Sequence, residues 1–136
     1  MFFPNKDGRY SINDVTDIVA ARAAARDMAG QVGFGLADRA RMATAVSELT
    51  RNVVQYAGGG TCEIKNVSDT THLKILVIVE DQGAGIPDIE KAMLDGFSTS
   101  GGLGAGLPGT KRLMDEFAIE SKPGLTRVTI GMVRAK

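Results

Sequence analysis

The sequence has a single cysteine, Cys62, a single histidine, His72, and no tryptophan. One cysteine forms no internal disulfide, and Cys62 sits in an alternating, strand-like stretch, so a buried thiol is expected rather than a reactive one. His72 has neither a cysteine nor a second histidine near it, which excludes a zinc site. Charge of one sign is also missing. Sixteen Lys and Arg stand against 16 Asp and Glu, and no summed field draws the chain to nucleic acid or to an anionic membrane. The longest apolar run, Ile75 to Val79, is far too short to span a bilayer, and the opening MFFPNKDGRY lacks a basic stretch followed by an apolar core. These absences point to a cytoplasmic location and to a protein or small-molecule partner. A length of 136 residues points to one domain, residues 1–136, with a core of its own.

Glycine, by contrast, is plentiful, and it concentrates in DGFSTSGGLGAGLPGTKRLMDE, residues 95–116. Gly101, Gly102, Gly104, Gly106 and Gly109 leave the backbone free to approach a ligand with no Cβ in between. Gly106 to Met114 then reads as a short helix with Pro108 in its first turn, and its free N–H groups point back at the glycines, where a phosphate would fit. Taken alone, the stretch is equally a flexible surface loop before an ordinary helix. Two phosphate motifs fail on it. Gly104-Ala-Gly106-Leu-Pro-Gly109 spells a dinucleotide fingerprint, but the preceding Phe97-Ser-Thr-Ser-Gly-Gly is not the strand that fingerprint needs. The order Gly109-Thr110-Lys111 reverses the lysine and hydroxyl of a P-loop.

The rest of the chain divides by its periodicity. Arg9 to Asn13 reads as an edge strand, and Asn13 or Asp14 can cap a helix running from Val15 to about Gly30, with Val15, Ile18, Val19, Ala23 and Met28 near helical spacing. A second helix from about Leu36 to Ala57 repeats Val46, Leu49, Val53 and Ala57 at three- and four-residue steps until Gly58-Gly59-Gly60 stops it. Thr61 to Val67 and His72 to Glu80 form a hairpin whose second strand is apolar on both faces. Asp88 to Leu94 suits a short helix. Phe117 to Ser121 and Thr126 to Val133 form a second hairpin around Lys122-Pro123-Gly124. The order β-α-α-β-β-α-loop-α-β-β predicts an α+β sandwich, one largely antiparallel sheet with helices on one face.

Two constellations carry chemistry on that frame. Glu48 and Asn52 are four apart on the second helix, so they stack on one face about 6 Å apart along the axis, opposite Val46, Leu49 and Val53. A carboxylate and an amide carbonyl so placed suit a magnesium ion that takes its other ligands from phosphates, or else form an ordinary solvated face. At the end of the second hairpin strand comes Asp81-Gln-Gly83-Ala-Gly85. An aspartate there can accept the exocyclic N–H of adenine, where guanine presents a carbonyl oxygen instead, although the same pattern also makes a plain turn.

Glu48-x-x-x-Asn52, Asp81-x-Gly83-x-Gly85 and Gly102-x-Gly104-x-Gly106, in that order, resemble the N, G1 and G2 boxes of the GHKL ATPase superfamily. Thr126 resembles its last, G3, element, with Leu125 set between Gly124 and Thr126 where the family has Gly-Thr adjacent. The resemblance implies a Bergerat nucleotide-binding fold and the cofactors ATP and Mg²⁺. Length sets aside members that need a transducer domain or a phosphoacceptor helix pair. SELTRNVVQYAGGG and EDQGAGIPDIEKAMLDGFSTSGGLGAGLPGTKRLMDEF are similar to the small bacterial serine kinases of partner-switching systems, and Tyr56 stands where the anti-sigma-factor kinases more often have histidine. By that resemblance Asn52 holds Mg²⁺. Asp81, Gly83, Gly85 and Thr126 bind ATP, and a lid of Ser98, Thr99, Ser100, Gly101, Gly102, Leu103, Gly104, Ala105, Gly106 and Leu107 wraps the phosphates. Glu48 is then the base that deprotonates a substrate serine. The implied partners are a STAS-domain antagonist, a STAS-domain stressosome scaffold and a PP2C-type phosphatase, with no nucleic acid and no membrane. The alternatives are an anti-sigma-factor kinase that binds a sigma factor directly and a nucleotide-dependent binding module without transfer activity.

Overall fold

The computed structural model describes residues 8–83, Gly85, Met93 and residues 106–136. Its five strands are β1 (Gly8–Ile12), β2 (Gly60–Asn66), β3 (His72–Asp81), β4 (Glu116–Lys122) and β5 (Leu125–Ala135). They form one sheet in the order β1-β2-β3-β5-β4, and every pairing is antiparallel. The helices among the described residues are α1 (Val15–Val32), α2 (Leu36–Asn52) and α3 (Gly106–Leu113). The helix expected over residues 88–94 lies outside the described residues, Met93 excepted.

Inward residues alternate along the strands. Cys62 and Ile64 of β2, Ile75, Val77 and Val79 of β3, and Val128, Ile130 and Met132 of β5 are all buried against the helices. Each such aliphatic side chain contributes about 1.5–3 kcal/mol on leaving water. β3 was expected to be buried on both faces. Leu76 and Ile78, on its other face, are only half-buried, because no described helix covers that side and ion pairs such as Lys74–Glu116 (2.9 Å) and Arg127–Glu80 (3.2 Å) run across it.

α1 starts at Asp14, whose carboxylate accepts the Asp17 N–H while Asp17 reaches back to the Asp14 N–H, a reciprocal capping box. Its buried stripe is Ile18, Ala21, Ala25, Met28 and Ala29. The spacing of its larger apolar residues pointed elsewhere: Val15 and Val19 are 68% and 59% exposed. The alanines win the inward face because small side chains let α1 lie close against α2. Gly33, at φ 120°, ends the helix. The first turn of α2 is tied to the C-terminal end of β5 by Arg134. Its guanidinium grips Asp38 through two bonds of 3.0 and 2.8 Å and donates to Asp115, just beyond α3, at 2.8 Å. The Arg134 pKa is accordingly raised, first by the Asp38 hydrogen bond.

Cys62 lies in the same inward row as Val79 and Val128, and burial pushes its thiol from its ordinary 9.0 up to about 12. The native thiol therefore keeps its proton where the unfolded one loses it. The stability tied to this group is whole below about pH 9 and falls by about 1.4 kcal/mol per pH unit above that, until the native pKa is reached. Urea unfolding at pH 10 is expected to show a loss of about 1.4 kcal/mol from this source. Cys62→Ala should lack that component, and an equal alkaline loss in both proteins would place its origin elsewhere.

Candidate active site

Residues directly opposite one another in an antiparallel sheet share a face. Cys62, Val79, Val128 and Ile119 therefore form one apolar row on the helix-covered face, and two residues further along comes the row Gly60, Asp81, Thr126 and Ser121. The core here turns polar. Thr126, a buried residue at 8% exposure, stands opposite Asp81, and its hydroxyl lies 2.8 Å from that of Ser121. Leu125 does not displace Thr126 from this register, because it pairs with Lys122 as the closing residue of a tight turn. Gly124, at φ 90° after Pro123, supplies what a type II turn demands at its third position.

The Asp81 carboxylate is held from its own loop: one oxygen accepts the Gly83 N–H at 2.9 Å. The two glycines of this loop have distinct tasks. A Cβ on Gly83 would stand 3.0 Å from that of Ala57, so this glycine lets the loop close on the end of the α2 segment. Gly85, at φ 86°, passes so near the β4–β5 turn that a Cβ would lie 2.6 Å from the Lys122 carbonyl oxygen, and the Gly124 N–H donates to the Gly83 carbonyl at 3.0 Å. The aspartate loop is thus braced from both sides. Gly60 completes the contact, since its Cβ would meet the Glu80 carbonyl, Val53 and Asp81 together.

α2 was expected to run unbroken to Ala57. Instead the α-helix ends at Asn52 and continues as a π-helical turn, Val53–Ala57, closed by a bond from the Gly58 N–H to the Val53 carbonyl at 3.0 Å with Gly58 at φ 76°. This wide turn carries Val53 to Gly60 and Ala57 to Gly83, and so sets Asn52 immediately before the contacts that surround Asp81. π-Helical turns often mark such places. One helical turn earlier, Glu48 is half-buried and accepts a 2.8 Å bond from Arg51, with the Glu48 side chain only 12% exposed against 46% for Arg51. Thr50, facing the core, satisfies its hydroxyl on the Val46 carbonyl at 2.7 Å.

Of the residues expected at the site, the structure brings Asn52, Asp81, Gly83 and Thr126 to one end of the sheet, with Glu48 one turn away along α2 and Gly85 against the β4–β5 turn. Gly106 begins α3 at φ 42°, and Leu107 packs on the core. Thr110 bonds back to the Gly106 carbonyl at 2.8 Å, and α3 lies on α2. Ser98 to Ala105 lie outside the described residues. Sequence patterns missed two residues. Arg51 could have been found from its i+3 spacing to Glu48, whereas Ser121 becomes visible only once β4 is paired with β5.

The histidine kinase-like ATPase domain matches residues 13–132. The chain belongs to this family. It is 59% identical over 108 residues to the serine/threonine-protein kinase RsbT of Bacillus subtilis strain 168, covering 79% of this chain and 81% of that one. It is 34% identical over 116 residues to the anti-sigma F factor of Caldanaerobacter subterraneus subsp. tengcongensis, covering 80% and 81%. A structure of the RsbU and RsbW domains of Rv1364c from Mycobacterium tuberculosis superposes with a TM-score of 0.64 at 19% identity, over 94% of this chain and 32% of that one, and shares the fold. The α+β sandwich is therefore the Bergerat fold of GHKL ATPases, the nucleotide used is ATP, and the activity is that of a protein serine/threonine kinase. No helix among the described residues is long and apolar enough to cross a membrane.

Proposed function

We propose that residues 1–136 act as one ATP-binding domain in the cytoplasm. It phosphorylates a serine on a STAS-domain antagonist and on a STAS-domain stressosome scaffold, and when released it activates a PP2C-type phosphatase. Neither nucleic acid nor membrane is a partner. The observation that carries this reading is the meeting of the Asn52 end of α2 with Asp81 and Thr126 on the last polar row of the sheet.

Each residue has a distinct task. The Asp81 oxygen that does not hold Gly83 accepts the adenine amino N–H, and Thr126 stands beside it. Among the described residues no three His, Cys, Asp or Glu side chains converge. A magnesium ion here would take one oxygen from Asn52 and the rest from phosphates and water, a ligand set this small hard cation accepts. When bound, Mg²⁺ neutralises charge on the phosphates. Backbone N–H groups of residues 98–107 cover the phosphate oxygens. Glu48, held by Arg51, accepts the proton of the substrate serine as its oxygen bonds to the γ-phosphorus and ADP leaves, a reaction that asks chiefly for positioning.

The test is incubation with γ-labelled ATP and a purified STAS-domain substrate. Label on a STAS serine is expected, and none at full nucleotide occupancy would leave only a binding module. Sigma-factor binding without STAS phosphorylation would favour the anti-sigma reading. Base recognition is checked separately. Asp81→Asn, which offers an N–H where an acceptor is needed, is expected to weaken ATP binding by at least about tenfold in calorimetry, about 1.4 kcal/mol. Unchanged affinity in a folded protein would place the base elsewhere.

A further inference from the structure

Glu48 stands between two other polar side chains on the surface of α2. At about 100° per residue around an α-helix, Asn52 lies about 40° to one side of Glu48 and Arg51 about 60° to the other. Burial follows the same order, with Asn52 half-buried and Arg51 exposed. On the reading given above, Asn52 marks the nucleotide side of the helix. The attacking and leaving oxygens of phosphoryl transfer lie roughly in line, so a substrate serine reaches the γ-phosphorus from the side opposite ADP. That is the side of Arg51.

We propose that Arg51 is a specificity-determining residue that receives a carboxylate of the protein substrate, an Asp or Glu within two residues of the phosphorylated serine. The inference rests on Glu48 as the base and Asn52 as the nucleotide side. A guanidinium carries five N–H donors in a planar fork. The bond to Glu48 Oε1 at 2.8 Å uses one of them, and neither side chain has another bonded partner among the described residues. The Arg51 side chain is 46% exposed against 12% for that of Glu48, so the remaining donors face solvent beside the base. Ion pairs of this spacing are common on helix surfaces and add little to stability, which leaves the position of this one as its distinguishing feature. A serine that brings its oxygen to Glu48 also brings its neighbours within one or two Cα steps of about 3.8 Å, a span that a long arginine side chain covers. Charge then selects among those neighbours. Glu48 and the ATP phosphates repel a substrate carboxylate unless a cation takes it, and the planar fork takes one through two bonds. A substrate lysine or arginine at the same place meets like charge instead, so Arg51 discriminates in both directions.

The experiment uses the full chain, Mg-ATP and a purified STAS-domain substrate whose phosphoserine is first located by mass spectrometry. An Asp or Glu within two positions of that serine is expected, and its absence would overturn the assignment. That acid is then changed to its amide, and transfer is measured over a range of concentrations of each substrate form. Wild type is expected to show a KM about tenfold higher for the amide form, with kcat within about threefold. Arg51→Ala should show the higher KM for both forms, so that its preference falls below about twofold. Arg51→Lys, which keeps the charge without the fork, should hold a preference of about threefold. A tenfold preference retained in Arg51→Ala would overturn the proposal. So would a fall in kcat with KM unchanged, the mark of an arginine that only orients Glu48, or a raised KM for ATP, the mark of one that meets the nucleotide. Glu48→Gln separates this from the reading beneath it. Wild-type transfer there removes the base itself, whereas a hundredfold loss there with an undiminished preference in Arg51→Ala removes only the part given to Arg51.

Discussion

Asn52→Ala is expected to abolish measurable Mg-ATP binding at millimolar nucleotide and, with it, all transfer to the STAS substrate. Asn52 is the last residue of α2, and the π-helical turn after it packs Val53 against Gly60 and Ala57 against Gly83. Its position is therefore set by contacts around Asp81 rather than by its own side chain. Truncation should remove the amide oxygen and leave this frame in place, so thermal stability should stay within a few degrees of wild type. Calorimetry with and without Mg²⁺ decides the role. If Asn52→Ala binds Mg-ATP as wild type does, the metal is held elsewhere. If wild type gains nothing from Mg²⁺ and the variant loses nucleotide in its absence too, Asn52 touches the nucleotide directly and not through a metal.

What could be read from sequence alone was whatever a local pattern specifies. Period-two alternation fixed the two hairpins to within a residue or two, Asn13 and Asp14 were the two candidate caps for α1, of which the fold uses Asp14, and Pro123-Gly124 announced the last turn. The candidates Glu48, Asn52 and Asp81 could be singled out because each lies at a fixed offset on one element. Features that depend on two elements meeting could not be read this way. The π-helical turn is one, since nothing in Val53-Val-Gln-Tyr-Ala disfavours a plain α-helix, and the contacts with Gly60 and Gly83 are what accompany the wider winding. The inward face of α1 is another. Val15 and Val19 are the more hydrophobic residues, but close packing against α2 favours Ala21, Ala25 and Ala29. Ser121 is the third: on its own strand it is one polar residue at an edge, and only its pairing with Thr126, and Thr126 with Asp81, gives it a chemical setting. The paired separation of Gly124 and Thr126 by Leu125 looked like a departure from the family. In the fold Leu125 closes the turn, and Thr126 meets Asp81 all the same.

Glu48→Gln is the second large effect, and it separates catalysis from switching. Glutamine keeps the shape of glutamate and can still accept a bond from Arg51 through its carbonyl oxygen, but it cannot take the proton of a serine hydroxyl. Phosphorylation of the STAS substrate is expected to fall by about a hundredfold or more, about 2.7 kcal/mol or more in the barrier. Mg-ATP affinity should stay within twofold, because Glu48 is assigned to the attacking hydroxyl and Asn52 to the metal. Binding of the STAS antagonist and stimulation of the PP2C-type phosphatase should both survive, since partner contact depends on surface and on nucleotide occupancy rather than turnover. The measurements are single-turnover transfer, calorimetry and phosphatase stimulation with purified components. Wild-type transfer in Glu48→Gln would refute the base assignment. Lost phosphatase stimulation with fold and nucleotide binding intact would instead show that the ionised Glu48–Arg51 pair, seen here at 2.8 Å, is part of what the phosphatase recognises.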